Sequence, residues 1–245
     1  MNQFLQGDCL DLMSDIPDAT VDMVCSDLPY GVTARNEWDK VIDLEKMWEQ
    51  YNRITKPTAA IVLFASQPFT TQLINSNLKN FRYDLVWEKN KSTGFLNAKV
   101  MPLRMHEQVL VFYRKKPIYN PQKTTGHKPV NRYTKNTSDG TNYGETKIGR
   151  KGGGSTERYP TSILKFPVIN NDDPEKFHPT QKPVELLEFL IKSYTNEGDT
   201  VLDNAAGSGS TCIAAINTKR RYIGIEGDPE FYKKALQRIS RHEKG

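Results

Sequence analysis

Residues 200–211 read TVLDNAAGSGST, and this stretch decides the fold that we expect for the chain. An apolar run that ends in an acid and is followed by small residues predicts a strand, a tight turn and a helix. Glycines in such a turn let the backbone approach a ligand, and the N-terminus of a helix favours a negative group. The next strand-like run, RYIGIE, ends at Glu226, where an acid can bind ribose hydroxyls. The two features are typical of an adenosine-containing cofactor site at the carboxyl edge of a parallel sheet, although glycine turns also serve purely structural ends.

Short apolar runs alternate along the chain with segments of helical spacing. Strand-like runs lie at 21–25, 59–64, 83–87, 108–112, 200–202 and 221–225, and helical spacing at 44–51, 186–191 and 231–239. Several runs are almost continuously apolar, which fits strands buried on both faces of a sheet. The pattern predicts an α/β fold, doubly wound around a mostly parallel sheet. Asp228, which precedes Pro229 and the last helical segment, is expected to cap that helix.

The length and composition fit one domain with an insertion. The chain has 245 residues, of which 37% are hydrophobic, enough for a core. No apolar run approaches the roughly 20 residues that span a bilayer, and the first residues do not resemble a secretory signal. The three cysteines (Cys9, Cys25 and Cys212) lack metal-site or disulfide spacing. We therefore expect a cytoplasmic, reduced protein that requires no metal.

The positive charge is concentrated in the middle of the chain. Residues 89–160 hold 15 Lys and Arg against four acids, which leaves −6 for the rest of a chain whose net charge is +5. An acidic body with a basic middle indicates a polyanionic partner such as nucleic acid, although a solvated lysine-rich loop would have the same composition. Residues 114–161 are rich in Lys, Asn, Thr and Gly, and a loop of this length inside a compact domain favours a functional insertion.

A second informative stretch, VCSDLPYG at residues 24–31, directly follows a predicted strand. In isolation it fits an ordinary turn. The carboxylate of Asp27 and the backbone carbonyl of Leu28 can, however, each accept a hydrogen bond from an exocyclic amine. The ring of Tyr30 offers a flat face on which a base can stack.

Taken together, these motifs resemble those of the DNA amino-methyltransferases, which transfer a methyl group from S-adenosylmethionine to adenine N6 or cytosine N4. DLPY at 27–30 matches the family's catalytic Asp-Pro-Pro-Tyr, and DNAAGSGST at 203–211 matches its cofactor motif Asp-Pro-Phe-x-Gly-x-Gly-Thr. HPTQKP at 178–183 and GDCL at 7–10 resemble two further family segments. The catalytic motif comes first and the cofactor motif last, which is the permuted order of the family's β group. Leu28 replaces a proline, and Asn204-Ala205 replaces Pro-Phe, so the wall near the cofactor's adenine must be built differently.

The resemblance implies the S-adenosylmethionine-dependent methyltransferase fold and a set of site residues. The catalytic group would be Asp27, Leu28, Pro29 and Tyr30. Asp8 would approach the adenine of S-adenosylmethionine, Glu226 its ribose, and Lys182 with Thr180 its carboxylate. The remaining cofactor residues would be Cys9, Asp203, Ala205, Gly207, Gly209 and Thr211. Phosphate contacts and target recognition would fall to residues 114–161 and their flanks, with candidates Lys89, Arg104, His106, Lys123, Lys128, Arg132, Lys135, Arg150 and Lys151.

The expected reaction is site-specific methylation of adenine N6 in duplex DNA, with the base flipped out. In the family, Asp at the first tetrapeptide position favours adenine, and cytosine N4 is the alternative. Methylation of cytosine C5 needs a cysteine nucleophile, which follows a proline in that family of enzymes. It is excluded here because none of the three cysteines follows a proline. An inactive DNA-binding relative, suggested by Leu28, is a second alternative. A dinucleotide-dependent oxidoreductase would leave DLPY and the basic middle unexplained. The target sequence, a restriction partner and the preferred DNA strand state stay open, and a homodimer would be in keeping with the β group.

Overall fold

The computed structural model describes residues 2–31, 41–135 and 148–244. The chain divides into two compact units, one formed by Met1–Asn120 with Ser162–Gly245 and the other by Pro121–Thr161. Within the expected recognition region 114–161, residues 136–147 lie outside the described residues.

The first unit alternates strands and helices over most of its length. Its strands are β1 (Gln3–Gln6), β2 (Val21–Ser26), β3 (Thr55–Ala65), β4 (Phe81–Thr93), β5 (Arg104–Phe112), β8 (Ile163–Lys165), β9 (Thr200–Asp203) and β10 (Arg221–Glu226). Its helices are α1 (Cys9–Ser14), α2 (Leu44–Ile54), α3 (Phe69–Ser76), α4 (Val184–Tyr194), α5 (Ser210–Asn217) and α6 (Pro229–Lys244), with a 3-10 turn at Phe95–Asn97. As predicted, Asp228 caps α6, because its Oδ1 accepts hydrogen bonds from the amides of Glu230 and Phe231 at 2.8 and 3.0 Å.

The eight strands form one sheet in the order β1-β10-β9-β2-β3-β5-β4-β8. All neighbours pair in parallel except β5, which is antiparallel to both β3 and β4. The prediction of an α/β fold with a mostly parallel sheet is thus confirmed. From β9 the chain continues to β10 on one side, and from β2 to β3 on the other. The neighbouring pair β9 and β2 is therefore the switch point, outside whose carboxyl ends ligands bind in open α/β sheets.

Both faces of the sheet are covered by helices. In β3, Val62 and Phe64 pack into a core that includes residues of α4 and α5, while Ile61 and Leu63 pack on the opposite face with residues of α1, α2 and α3. Successive side chains of a strand point to opposite faces, so a strand covered on both faces needs apolar residues at every position. This explains the continuous apolar runs in the sequence.

The second unit contains only short pairings among its described residues. The strands β6 (Tyr133–Thr134) and β7 (Lys151–Gly152) are antiparallel, and Thr124 forms an isolated bridge with Arg158. In neither unit does the described part of the chain include a helix long and apolar enough to cross a membrane.

Candidate active site

A cavity of about 1180 Å³ lies at the carboxyl ends of β2, β9 and β10. Residues 7–10, 27–30, 178–182 and 203–208, together with Glu226, form part of its lining. These motifs are far apart in the sequence and meet here because their strands end at the same edge of the sheet. Pockets for one small ligand usually measure about 300–1,000 Å³, so this cavity has room for a cofactor and a nucleobase together.

The carboxylate of Asp27 follows β2 directly and is held from both sides. Its Oδ1 accepts a hydrogen bond from the Tyr30 hydroxyl at 2.6 Å, and its Oδ2 forms an ion pair with the ammonium of Lys182. The ring of Tyr30 stacks on Phe69, with 5.3 Å between centroids, so one of its faces is already covered by protein. The side chain of Leu28 is buried in the core beneath the loop, which anchors the backbone on which Asp27 sits.

Asp27 is the end of a chain of four charged groups of alternating sign. Lys182 also contacts Glu107, with 3.3 Å between Nζ and Oε2, and the other oxygen of Glu107 pairs with Lys89. Both lysine side chains are only 8% exposed. Lys89 and Glu107 meet because β4 and β5 pair in the register that sets Trp87 opposite Glu107. Two carboxylates and two ammonium groups balance, which reduces the cost of burying each of them.

The charges of this cluster act on the pKa of Asp27 in opposite directions. Burial raises the pKa of Asp27 above its ordinary value, the Lys182 ammonium opposes that rise, and the Glu107 carboxylate adds to it. Burial alone would also raise the pKa of Glu107, but Lys182 and Lys89 hold it below its ordinary value. The pKa of Lys182 lies above its ordinary value, because the two carboxylates outweigh the burial that would lower it.

The cluster corrects the role expected for Lys89 and identifies two acids beside Lys182. Lys89 was expected to contact DNA phosphates, but its ammonium is buried against Glu107 and lies 4.9 Å from the centroid of the Trp87 ring. Lys182 was expected to face the cofactor carboxylate; its side chain lines the cavity, and its ammonium lies beside Asp27 and Glu107, so that role stays a prediction. Only the three-dimensional pairing reveals the acids beside the two lysines.

Asp203, at the end of β9, is a buried carboxylate held by uncharged donors. Its side chain is 4% exposed, and its Oδ1 accepts hydrogen bonds from the Ser26 hydroxyl at 2.8 Å and the Ala205 amide at 3.2 Å. Burial raises its pKa from 3.8 to about 6, against the opposing hydrogen bonds from Thr211, Ser26 and Ala205. Within the described residues, no Lys or Arg forms an ion pair with it. Asp203 therefore offers negative charge to a cationic ligand in the cavity.

The turn after β9 is connected to the end of β10 through Glu226. One oxygen of Glu226 accepts a hydrogen bond from the Gly207 amide at 2.6 Å and the other from the Asp228 amide at 2.8 Å. Gly207 has φ +51° and lies beside the His178 ring, which would be 3.5 Å from a Cβ at this position. Each carboxylate oxygen can accept more than one hydrogen bond. Glu226 is thus fixed in orientation and retains capacity for hydroxyl donors.

Gly209 is required by the packing of α6 against the turn. It has φ +73°, and a Cβ there would lie 2.8 Å from Cδ1 of Ile239 in α6. Gly209 is absent from the cavity lining, whereas its motif neighbours Ala205 and Thr211 belong to it. The contact of Gly209 with a cofactor stays a prediction.

The wall beside the turn includes Asp8, Cys9 and Asn204, and Tyr51 of α2 holds Asn204 in place. The Asp8 carboxylate caps α1 by accepting a hydrogen bond from the Leu10 amide at 2.8 Å. The Asn204 amide nitrogen contacts the Cys9 sulfur at 3.6 Å, and its oxygen accepts a hydrogen bond from the buried Tyr51 hydroxyl at 2.6 Å. Burial raises the pKa of the Cys9 thiol to about 11, so it stays neutral. Asn204, where the family has proline, is thus fixed by polar contacts.

The loop before α4 closes another side of the cavity. The ring of His178 packs against Phe231 with 4.3 Å between centroids, and its Nδ1 lies 3.2 Å from the Thr180 hydroxyl. Burial lowers the pKa of His178 to about 4, with Lys182 acting in the same direction and Asp228 opposing it. His178 is therefore a neutral, aromatic part of the wall, and Thr180 belongs to the lining beside it.

The remaining DNA-contact candidates fall into two groups. Arg104 lines the cavity, and His106 is exposed on β5. In the second unit the Lys123 ammonium pairs with Glu157 at 2.8 Å, the Lys135 amide donates to the Arg150 carbonyl, and the Lys135 carbonyl accepts from the Gly149 amide. Exposed cations of that unit are Lys128, Arg132, Arg150 and Lys151.

Three important residues received no role from the sequence. Ser26 donates to Asp203, Tyr51 fixes Asn204, and Glu107 links the two buried lysines. The position of Ser26 at the end of a predicted strand is a usable signal, because the carboxyl ends of strands carry ligand sites. Nothing in the sequence pattern sets Tyr51 or Glu107 apart.

The residues at this end of the sheet fit S-adenosylmethionine, which contains a ribose and carries positive charge on its sulfonium and ammonium groups. Glu226 can accept from ribose hydroxyls, and residues 205–208 present small side chains that leave space for a ligand. Asp203 is a buried carboxylate without a cationic partner among the described residues, which suits a positively charged ligand. In the described part of the chain, no group of three or more His, Cys, Asp or Glu could hold a metal ion.

The strand order and the cavity at the switch point define a doubly wound α/β protein with a ligand site at the carboxyl edge of its sheet. The DNA methylase family, whose members act on adenine N6 or cytosine N4, matches residues 21–237, and the chain belongs to that family. The resemblance predicted from the motifs is thereby confirmed, and the protein is an enzyme that acts on DNA.

Individual relatives agree with this family and differ in the base they methylate. The DNA adenine methyltransferase YhdJ of Escherichia coli (strain K12) is 27% identical over 255 residues, which covers 96% of this chain and 81% of the relative. The solved structure of the M1.HpyAVI–SAM complex has a TM-score of 0.65 at 23% identity, covering 98% of this chain and 99% of that one. The cytosine-N4-specific PvuII DNA methyltransferase has a TM-score of 0.69 at 15% identity, covering 100% and 92%. The two structures confirm the predicted fold.

Proposed function

We propose that this protein methylates the exocyclic N6 of adenine in DNA, using S-adenosylmethionine as the methyl donor. The observation that carries the proposal is the Asp27 carboxylate. It follows β2 at the switch point, lines the cavity, and is oriented by Tyr30 and Lys182. A carboxylate held in this way can accept a hydrogen bond from an amine at a fixed position.

S-Adenosylmethionine is the cofactor, and it supplies an activated methyl group on a sulfonium. Glu226 would bind its ribose, Asp203 would face its positively charged methionine end, and Ala205 and Gly207 would leave space for it. Asp8 and Cys9 border the same part of the cavity and would lie toward the adenine. Thr211 would hold Asp203 by its hydroxyl, in keeping with its effect on the Asp203 pKa.

The catalytic loop would activate the amine of the target base. The lone pair of an exocyclic amine is delocalised into the ring, which makes the nitrogen a weak nucleophile. Hydrogen bonds from its two N–H groups to the Asp27 carboxylate and the Leu28 carbonyl would favour a tetrahedral nitrogen and localise the lone pair. Pro29 would restrict the backbone of the loop. Holding the amine in line with the reacting carbon would provide much of the remaining acceleration.

Lys182 would act as a positioning residue for Asp27. Its ammonium compensates the burial of Asp27 and separates it from the Glu107 carboxylate. Without that positive charge, protonation of Asp27 would become more favourable, and a protonated carboxyl group accepts the amine less well. Glu107 and Lys89 would in turn hold Lys182, since they complete a neutral cluster.

Two observations support adenine rather than cytosine as the target. Asp27 occupies the first position of the tetrapeptide, where the family's adenine enzymes carry Asp or Asn and its cytosine-N4 enzymes lean to Ser. A relative that covers 96% of this chain is named a DNA adenine methyltransferase. Cytosine N4 remains the second candidate, because the same carboxylate can accept from either amine and the PvuII structure shares the fold.

The target base would leave the duplex to reach the cavity, at a cost of a few kcal/mol of unstacking. We propose that the basic unit Pro121–Thr161 is the target-recognition region. Its sequence carries eight Lys and Arg against three acids, and its exposed cations would contact phosphates, which supply most of the sequence-independent affinity for DNA.

The first test uses purified protein, methyl-labelled S-adenosylmethionine and unmethylated genomic DNA, with the product digested to nucleosides for mass spectrometry. The expected product is labelled N6-methyldeoxyadenosine. Label on N4-methyldeoxycytidine would refute the base assignment and leave the fold and cofactor unaffected. Absence of label, despite measurable cofactor binding, would favour an inactive relative.

Variants in the same assay test the two roles separately. Asp27→Ala is expected to abolish transfer and to leave cofactor affinity unchanged. Lys182→Met is expected to move the acid limb of the pH–rate profile to higher pH, since removal of the ammonium raises the pKa of Asp27. Lys182→Arg, which keeps the charge, is the matched control and should retain an acid limb close to that of the wild type. Full activity of Asp27→Ala would remove the catalytic assignment.

A further inference from the structure

The tip of the hairpin between β4 and β5, residues 94–103, presents four large apolar side chains to solvent. Phe95 is 79% exposed, Leu96 98%, Val100 77% and Met101 57%. Monomeric proteins rarely leave so many large apolar side chains exposed in one short segment without a binding role. These side chains are exposed in the free protein, so packing of its core does not explain why this segment carries them.

The shape of the tip does not depend on these side chains. Backbone hydrogen bonds from Asn97 to Gly94, from Ala98 to Phe95, and from Val100 and Met101 to Asn97 close two consecutive turns at 2.9–3.1 Å. The 3-10 turn at Phe95–Asn97 is part of this arrangement. The tip is therefore an ordered projection whose apolar groups are available for contact.

The surroundings of the tip are positively charged. The sequence from Lys89 to His106 contains four Lys and Arg and no acid. Lys89 is neutralised by Glu107, which leaves Lys91, Lys99 and Arg104 as exposed cations on either side of the apolar group. An apolar projection flanked by cations is complementary to duplex DNA, in which phosphates flank stacked bases.

The base of the hairpin forms part of the cavity wall. Lys91, Ser92 and Thr93 at the end of β4 and Arg104 at the start of β5 all line the cavity that contains Asp27. DNA that delivers a base to Asp27 would therefore pass close to the hairpin. This step rests on the proposed function.

We propose that the tip of the β4–β5 hairpin contacts duplex DNA and inserts apolar side chains into the base stack beside the target base. Apolar wedges of Phe, Leu and Met enter base steps in other DNA-binding proteins. A side chain in the space left by an extruded base compensates part of the lost stacking. Lys91, Lys99 and Arg104 contact the flanking phosphates.

A second copy of the chain is the other occupant that an apolar surface could bind. In a two-fold contact each tip would meet the same tip or its surroundings, which brings the three exposed cations of both copies together. Like charges at an interface cost free energy, whereas phosphates would balance them. The charge pattern therefore favours DNA.

The test compares wild type with the double variant Phe95→Ala/Leu96→Ala and with the control Leu78→Ala. Leu78 is 64% exposed and lies beyond the opposite end of β4, so the control removes exposed apolar surface without changing the tip. The first readout is methyl transfer to genomic DNA. The second is affinity, by fluorescence anisotropy, for a paired duplex and for the same duplex with one mismatched pair. The third is the sedimentation coefficient without DNA.

We expect transfer by the double variant to fall by about tenfold or more, since base stacking on a side chain contributes about 1–3 kcal/mol. Wild type and control should bind the mismatched duplex more tightly than the paired one, and the double variant should lose this preference. If all three proteins have the same affinity for the paired duplex and the same affinity for the mismatched duplex, the proposal is overturned. A change in the sedimentation coefficient caused only by the double variant would assign the tip to an interface between copies and would also overturn it.

The transfer and affinity readouts separate this proposal from the proposed function. If the wild type transfers no methyl group, the proposed function fails, while the affinity difference between paired and mismatched duplexes still decides the role of the tip. If the wild type is active and the double variant keeps full activity and the duplex preference, only the role of the tip is refuted. Lys99→Gln tests the flanking charges, and it should weaken binding to both duplexes and reduce the salt dependence of binding.

Discussion

Replacing Asp203 by asparagine is expected to stabilise the ligand-free protein and to weaken its affinity for the cofactor. Asparagine has the shape of aspartate and keeps an oxygen that can accept from the Ser26 hydroxyl and the Ala205 amide. The Thr211 hydroxyl can rotate to accept a hydrogen bond from the new amide nitrogen. The substitution therefore removes a buried charge while leaving the local packing almost unchanged.

The size of the effect follows from the pKa of Asp203, which burial raises from 3.8 to about 6. That difference corresponds to about 3 kcal/mol of stability lost when the carboxylate ionises in the folded protein. The folded protein holds the proton of Asp203 more tightly than the unfolded chain does. The stability of the wild type therefore falls as the pH rises from about 4 to about 6, and the loss stays constant above about pH 6. The Asp203→Asn variant lacks this loss, and its advantage should therefore grow with pH.

The assay is urea denaturation of both proteins without ligand at several pH values between 5 and 8. We expect the free energy of unfolding of Asp203→Asn to exceed that of the wild type by about 3 kcal/mol at pH 7.5, and by less at pH 5. Calorimetric titration with S-adenosylmethionine should show weaker binding to the variant, because a cation would lose its carboxylate. A variant that is less stable than the wild type at pH 7.5, or an advantage independent of pH, would refute the reasoning.

Three further substitutions test separate parts of the site. Glu226→Gln keeps the size of the side chain and removes its charge, so calorimetry should show about tenfold weaker cofactor binding, and unchanged binding would contradict its role. Gly209→Ala puts a Cβ 2.8 Å from Cδ1 of Ile239 at φ +73°, which should lower the free energy of unfolding by about 1–3 kcal/mol in denaturant melts. Ile239→Val should recover part of that loss. An unchanged free energy of unfolding would contradict the packing role. Tyr30→Phe removes the hydrogen bond to Asp27 and keeps the stacked ring, so single-turnover assays should show about tenfold slower transfer at unchanged cofactor affinity. An unchanged transfer rate would show that the hydroxyl does not orient the carboxylate.

Elements with a strong apolar pattern were predictable, and short ones without it were not. The strands at 21–25, 59–64 and 221–225 were expected because each is a nearly continuous apolar run. β1 (Gln3–Gln6) was missed, because QFLQ offers only two apolar residues and its identity as a strand depends on parallel pairing with β10. The helix α3 (Phe69–Ser76) was missed for a similar reason, since it is short and its residues include three Ser and Thr.

The candidate site was predictable as far as it consists of motifs at strand ends. Parallel strands end at one edge of a sheet, so the positions of Asp27, Asp203 and Glu226 at the ends of β2, β9 and β10 bring them to the same edge. The cluster beneath Asp27 was not predictable, because Glu107 and Lys89 become neighbours only through the antiparallel register of β4 and β5. A lysine in a basic segment indicates a phosphate contact until the acid beside it is located.

The two carboxylates at the switch point are suited to different tasks by their partners. Asp27 is paired with the Lys182 ammonium in the protein itself, and this charge opposes the rise in pKa that burial causes. Asp203 has only the uncharged donors Ser26, Thr211 and Ala205, so its ionisation is costly until a cation arrives. Burial raises the pKa of both acids, but different partners compensate the two charges. A cationic cofactor would therefore stabilise the charge of Asp203, while Asp27 has its cation within the protein and would be held for the amine of the base.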